Sequence, residues 1–342
     1  MQKTLALVDD PVFSEHLAPA GHPERPERLH AARAAIARTD FDLRRVDLAT
    51  RSATSDELAR VHHEEYLQQL GQAAGQVGHF DEDTYYSPHS VDAARAAAGA
   101  ALVVTDALLD RRADFGLALV RPPGHHARPS GAMGFCLLNN VAVAAAHARA
   151  RGVERVAIVD FDVHHGNGTQ EMFYADPSVL FVSLHQFPLY PGSGAVEENG
   201  IGDGRGYTLN VPLSAGAGNA AYGAAFERIV APVLEAYRPG LLLFSGGFDA
   251  HARDPLAQME LTEDGFRAIV RRTLAALEPG VPVGMALEGG YDLIGLGSSL
   301  GATLEGLGEG PLRQIPAERL WQAHERDLRA AAAVAAELWK LG

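Results

Sequence analysis

Cysteine is almost absent from this sequence, with one residue, Cys136, among 342. A single thiol excludes an internal disulfide and any cysteine-rich zinc module, and it fits a reducing cytoplasm. Positive charge is scarce too. Lys plus Arg total 29 against 43 Asp plus Glu, a net charge of −14, which argues against general binding to nucleic-acid phosphates and suits a cationic substrate. Long apolar runs are missing, since nothing approaches the roughly 20 residues of a membrane span. The opening MQKTLALVDD carries too short an apolar run to predict a signal peptide or an anchor. Linker composition and internal repeats are also lacking. With 47% hydrophobic residues, residues 1–342 are expected to form one soluble, cytoplasmic domain with a substantial core.

What the sequence does contain is a recurring pattern of short apolar runs that end in polar clusters. Val156–Val159 has the character of a buried parallel strand and stops abruptly at DFDVHHGNGT, Asp160 to Thr169. Asp160, Asp162 and His164 alternate, so in extended chain they lean to one side. Leu117–Val120 runs into RPPGHHARPSGAMGF, whose prolines and glycine bar a continuing strand or helix and leave His125 and His126 on an irregular loop. Leu241–Phe244 ends in SGGFDAH, and Val283–Leu287 is followed at once by EGGYDL. Further strands are predicted over Lys3–Val8, Val179–His185 and Tyr207–Val211.

Helices are predicted between them: from HPERPERL to about Arg38, from a Ser55 cap, over Ser90–Leu109 and Asn140–Arg151, around Gln170–Phe173, over Ala220–Tyr237, from a Thr262 cap to about Leu277, and through most of the remainder to Gly342. Phe80–Pro88, acidic and aromatic, reads as a surface loop. Alternating strands and helices imply a parallel sheet covered on both faces. In such sheets function collects beyond the carboxyl ends of the strands. His125/His126, Asp160–Asn167, Asp249–His251 and Tyr291 should therefore meet at one edge.

Asp162, His164 and Asp249 offer two carboxylates and an imidazole. Three protein ligands with an open position are the pattern of a catalytic rather than a structural zinc. Manganese or iron would also accept an oxygen-rich set. A metal lowers the pKa of water to about 7 and polarises a carbonyl. Hydrolysis then needs a base and an acid, roles that paired histidines fill, with Asp160 and Asn167 available to orient them. Tyr291, after two glycines at a strand end, has a hydroxyl suited to a developing oxyanion.

The motifs RPPGHHA, DFDVHHGNGT, LHQFPLYPGSG, GGFDAHARDP and LEGGYDL, in that order, resemble the zinc-dependent histone deacetylase family, which includes bacterial histone-deacetylase-like amidohydrolases, acetylpolyamine amidohydrolases and acetoin-utilisation proteins. The resemblance runs from about His22 to about Tyr291. It implies the arginase/deacetylase fold, a three-layer α/β/α domain with a central, mostly parallel eight-stranded sheet. It also implies Asp162, His164 and Asp249 as zinc ligands, His126 as general base and acid, His125 as its electrostatic neighbour oriented by Asp160, and Tyr291 as the carbonyl clamp. Asn167 stands where one branch has Asp and the class II branch has Asn, so the chain is class II-like. A neutral partner stabilises the His126 imidazolium less than a carboxylate would.

Phe135 and Tyr190 match the aromatics flanking the family's acyl-lysine channel, the second usually Phe. Potassium is implied beside the zinc at Asp160, Asp162, His164, Ser183 and Leu184, and Arg28 matches an arginine near a cavity for acetate release. The implied reaction is hydrolysis of an acetyl amide on a primary amine, with acetyl-lysine of a protein or peptide preferred over a small acetylated polyamine. Leu256 stands where a polyamine-selective relative has a glutamate, whereas the acidic loop Asp81, Glu82 and Asp83 attracts a polycation; Asp83 is the candidate to hold the substrate backbone. Remoter readings are a dinuclear manganese ureohydrolase, with Asp160, His165 and His251 as extra ligands, and a silent acyl-lysine-binding scaffold. Family members occur as monomers, dimers and tetramers, so a homo-oligomer stays open, and so does packing of the Ala-rich helix after Pro316 on the body or on a partner.

Overall fold

A computed structural model describes residues 2–308 and 320–340. Eight strands build one sheet: β1 Thr4–Val8, β2 Arg44–Leu48, β3 Phe115–Ala118, β4 Val156–Asp160, β5 Val179–Gln186, β6 Thr208–Leu213, β7 Leu241–Gly246 and β8 Val283–Leu287. Their order is β2-β1-β3-β8-β7-β4-β5-β6, and every neighbouring pair is parallel. The Val, Leu and Ile runs of β4, β5, β7 and β8 are buried at every residue, because helices cover both faces. Ser90–Leu109 and Asn140–Ala150 pack together against the sheet in one layer. Glu27–Arg38, Glu263–Ala275 and Leu293–Leu307 pack together in the other.

The strand order decides where chemistry collects. β3, β8, β7 and β4 lie side by side at the centre of the sheet, and each of the four polar clusters follows one of them. The paired histidines, the Gly-Gly-Tyr turn, Asp249 and the Asp160–Asn167 stretch are thus delivered to one edge by four neighbouring strands.

Several boundaries differ from expectation. β2 is an eighth strand that the apolar pattern does not announce: RRVDL is half exposed and charged, as edge strands are. β3 begins two residues before Leu117, and Leu119 keeps a backbone bond to Val8 although Leu119 and Val120 lie past its end. Thr54, not Ser55, caps the short helix Ser55–Leu58, through a reciprocal capping box with Glu57. Thr262 precedes its helix without a side-chain capping bond, because its hydroxyl accepts from Asn219 instead. The Ala220–Tyr237 region starts at Asn219 and is interrupted by a π turn at Phe226–Val230. Within Phe80–Pro88, Tyr85–Tyr86 pairs antiparallel with Gly78–His79.

The last helix, Gln322–Trp339, packs on the body: the Ser214 N–H and hydroxyl donate to Asp327, and Trp339 donates to the Gly206 carbonyl. Pro316 lies outside the described residues. Among those described, no helix is long and apolar enough to cross a membrane.

Candidate active site

Asp162 and His164 follow β4 and Asp249 follows β7, and the three buried side chains offer ligand atoms all within 4.8 Å of one another. His164 Nδ1 stands 3.2 Å from Asp162 Oδ1 and 3.1 Å from Asp249 Oδ2. Backbone donors orient the carboxylates: the Gly289 N–H donates to Asp162 Oδ2 at 2.8 Å and the Val163 N–H to Asp249 Oδ1 at 2.8 Å. Among the described residues this is the one cluster with metal-ligand geometry.

Its charges fit a cation. Burial, reinforced by the charge of Asp162, raises the Asp249 carboxyl above its ordinary range. Burial alone would lower His164, yet its hydrogen bonds to Asp162 and Asp249 outweigh that and push it up to about 10. Four carboxylates, those of Asp160, Asp162, Asp249 and Glu288, are almost fully buried beside one another's strands, an arrangement that demands positive charge.

The histidine loop after β3 is fastened from below. Glu288 Oε2 accepts the Gly124 and His125 N–H groups at 2.6 and 3.1 Å, and the Ser245 hydroxyl donates to Glu288 Oε1 at 3.0 Å. His125 Nδ1 lies 2.9 Å from Asp160 Oδ2. Burial disfavours its charged form, but the carboxylates of Asp162 and Asp160 reverse the balance and hold it well above 6.5. Asp160 itself is raised to about 7 by burial, against the opposing pull of His125.

His126 sits under the neighbouring ring, with centroids 4.0 Å apart, and its Nδ1 is 2.7 Å from the Asn167 amide oxygen. An amide oxygen only accepts, so Nδ1 carries the proton and Nε2 keeps a lone pair. Burial, then the positive charges of His125 and His164, lower His126 well below 6.5. The pair is thus split electrostatically, one ring charged and one neutral.

Tyr291 completes the edge. Phe135 meets its ring edge-on at 5.9 Å, and Tyr190 meets His126 edge-on at 5.3 Å. One aromatic thus packs on the tyrosine and the other on the histidine. Phe135 has a φ of +66°, unusual for a bulky residue and a mark of a constrained loop. The acidic loop reaches the Phe135 loop through Thr84, which accepts the Phe135 N–H and donates to Asp83, both at 3.2 Å. Burial and the charge of Asp81 raise the Asp83 carboxyl.

Other expected residues fall as follows. Ser183 on β5 stands directly opposite Asp160 on β4, and its hydroxyl is 3.0 Å from His185 Nδ1; Leu184 is buried beside it. Leu256 is half-buried, with its N–H donated to Asp254. Arg28 is fully buried and spends three donors on Glu24 Oε1, the Glu288 carbonyl and the Gly290 carbonyl, with its guanidinium 5.1 Å from the centre of the Tyr291 ring. His165 points its nitrogens at Ser193 and Gln170, and the nearest acid to His251 is Glu263 at 3.6 Å, so neither joins the Asp162–His164–Asp249 cluster.

Three acids were not singled out from the sequence: Glu288, Asp254 and Glu24. Glu24 lies between the buried guanidiniums of Arg28 and Arg121; burial would raise its pKa, but the charge of Arg121 leads the forces that drive it well below the carboxylate range. Glu288 and Asp254 stand inside LEGGYDL and HARDP, where an acid beside a strand end or a proline was the available signal.

Comparison with known proteins places these features in context. Residues 22–307 match the histone deacetylase domain model. The histone deacetylase-like amidohydrolase of Pseudomonas aeruginosa is 44% identical over 283 residues, covering 80% of this chain and 73% of that protein. The polyamine deacetylase HDAC10 of Homo sapiens is 42% identical over 300 residues, 83% of this chain and 44% of its own length. The chain thus spans about half the length of its longer human and plant relatives. Among solved structures, the HDA15 HD domain superposes with a TM-score of 0.92 at 36% identity, covering 99% of this chain and 96% of that one.

Proposed function

The chain belongs to the histone deacetylase family of amide hydrolases, and from that premise we propose that it removes acetyl groups from acetylated primary amines, with acetyl-lysine of a protein or peptide as its preferred substrate. The observation that carries this reading is the convergence of Asp162, His164 and Asp249 with His125, His126 and Tyr291 at the ends of four adjacent strands.

The donor set fits zinc: two carboxylates and one imidazole, buried among surplus negative charge. When bound, the ion supplies Lewis acidity toward the acyl carbonyl and toward the attacking water. His126 Nε2, its lone pair exposed to the site by the Asn167 bond, takes a proton from water as the new C–O bond forms. The Tyr291 hydroxyl donates to the carbonyl oxygen as negative charge grows there. His126 then passes its proton to the amine nitrogen as the C–N bond breaks, giving acetate and the free amine. His125, kept charged by Asp160 and Asp162, holds the field around its neighbour positive and His126 easily deprotonated.

Potassium is proposed at Asp160, Asp162, His164, Ser183 and Leu184, a reading supported by the opposition of Asp160 and Ser183 on adjacent strands. Phe135 and Tyr190 would line the acyl-lysine channel and Asp83 would receive the substrate's backbone N–H groups at its mouth. Residues 1–342 are proposed to act as a single deacetylase domain.

The second reading, hydrolysis of small acetylated polyamines, rests on the acidic mouth at Asp81, Glu82 and Asp83 and on the activity named for the human relative. An aliphatic Leu256 at the rim favours the first. Turnover of an acetyl-lysine peptide, acetylspermidine and acetylputrescine by zinc-loaded protein decides between them. The expected result is the highest kcat/KM on the peptide; a large preference for the polyamines overturns that choice, and no turnover of any of the three overturns the hydrolytic reading.

A further inference from the structure

Tyr291 follows Gly289 and Gly290, and Gly290 has a φ of +117°, backbone freedom that leaves the tyrosine's placement to whatever grips the turn. Both polar atoms of the Gly290–Tyr291 peptide are gripped. The carbonyl accepts from Arg28 Nε at 2.7 Å, and the N–H donates to Asp254 Oδ2 at 2.7 Å. The same Asp254 oxygen accepts the Asp292 N–H at 3.2 Å, while its other oxygen accepts the N–H of Leu256 at 3.0 Å. Asp254 is 8% exposed, so these bonds are made away from bulk water, where losing an acceptor is expensive.

We infer that Asp254 is a positioning residue for Tyr291 and that its carboxylate ties the tyrosine to the substrate rim at Leu256. The inference rests on the proposed role of Tyr291 as carbonyl clamp. The physical case is the pattern of bonds. A flip of the 290–291 peptide would turn its N–H away from a buried carboxylate and its carbonyl away from a buried guanidinium at once. Because one oxygen serves the rim and the other serves the turn, displacement of residues 254–256 by a substrate is felt at the tyrosine through a single rigid carboxylate. Asp292, whose Oδ1 caps the helix Leu293–Leu307 through the Gly295 N–H at 2.7 Å, fixes the far side of the turn.

The test is a double-mutant cycle on the zinc-loaded enzyme with D254N, Y291F and the combined variant, with metal content and melting temperature measured on each. D254N puts an amide where a carboxylate accepts three N–H groups, so the turn loses part of its grip. A shift of about 1 Å in a reacting group lowers turnover on the order of a hundredfold. The expected outcome is a fall in kcat of ten- to a hundredfold with KM within threefold, one zinc per chain retained, and less than a threefold further loss when D254N is added to Y291F. A merely structural role would instead lower kcat by the same factor in both backgrounds, and that result, or a D254N kcat within twofold of wild type, overturns the inference. Should D254N not fold, D254E, which keeps both acceptor oxygens one methylene farther out, carries the same cycle with the same criteria. Full turnover by Y291F alone overturns the clamp assignment instead, so the two failures are told apart.

Discussion

At the scale of single residues, the site is defined as much by missing atoms as by functional groups. A Cβ on Gly289 would lie 2.2 Å from Asp249 Oδ2 and 2.6 Å from Asp162 Oδ2, and one on Gly247 would lie 2.0 Å from Asp162 Oδ2. Two backbones therefore close directly onto the carboxylates, and the Gly289 N–H becomes a donor to one of them. Gly289→Ala should push both acids off their shared centre. The expected outcome is zinc affinity weakened by ten- to a hundredfold, the range typical of disturbed ligand support, read by competition with a chromogenic chelator, with circular dichroism unchanged. Zinc affinity equal to wild type would show that the acids do not hold the ion. The clustering of Asp162, His164 and Asp249, the proposed ligands, was legible from sequence because each lies within a few residues of the end of an apolar run. Glu288 and Asp254 were not, since their partners, Gly124 and Tyr291, are 164 and 37 residues away, and no local pattern announces a long-range hydrogen bond.

At the scale of elements, what could be read from sequence tracks burial. Seven strands carry mainly apolar residues and lie where those residues predict, to within a few positions. β2 escaped because an edge strand carrying Arg44, Arg45 and Asp47 has neither an apolar run nor clean alternation. The opposite edge, β6, is handled differently, for the helix Gln322–Trp339 packs against it. Its anchor is Trp339, whose ring meets Tyr207 at 5.4 Å and Tyr237 at 5.9 Å while its indole N–H donates to the Gly206 carbonyl at 3.0 Å. These contacts lie just before the amino end of β6, away from the catalytic edge. Trp339→Ala should cost about 2 kcal/mol, below the 3–5 kcal/mol of a fully buried Trp because this one is half-buried. The melting temperature should fall by several degrees with kcat unchanged. Lost turnover at an unchanged melting temperature would mean that the helix reaches the site in a way these contacts do not account for.

At the scale of the whole molecule, a net charge of −14 sets a field that a substrate meets before it touches any side chain. Exposed Asp81 and Glu82 and half-buried Asp83 stand beside the Phe135 loop, at the proposed mouth, so the long-range field and the local one have the same sign. Such a field speeds the encounter of a cation and is screened by salt, with a Debye length of about 10 Å at 0.1 M falling to about 3 Å at 1 M. The buried interactions that perform the chemistry are screened far less. Salt should therefore separate encounter from turnover. For an acetyl-lysine peptide flanked by arginines, raising NaCl from dilute buffer to near 1 M should lower kcat/KM on the order of tenfold while kcat stays level. The same peptide with neutral flanks should change little. Glu82→Lys, which reverses one charge on a side chain that makes no ion pair among the described residues, should flatten the slope for the cationic peptide. Equal slopes for the two peptides would mean that charge does not guide substrate to this mouth, and the preference for cationic partners inferred from composition would fall with it.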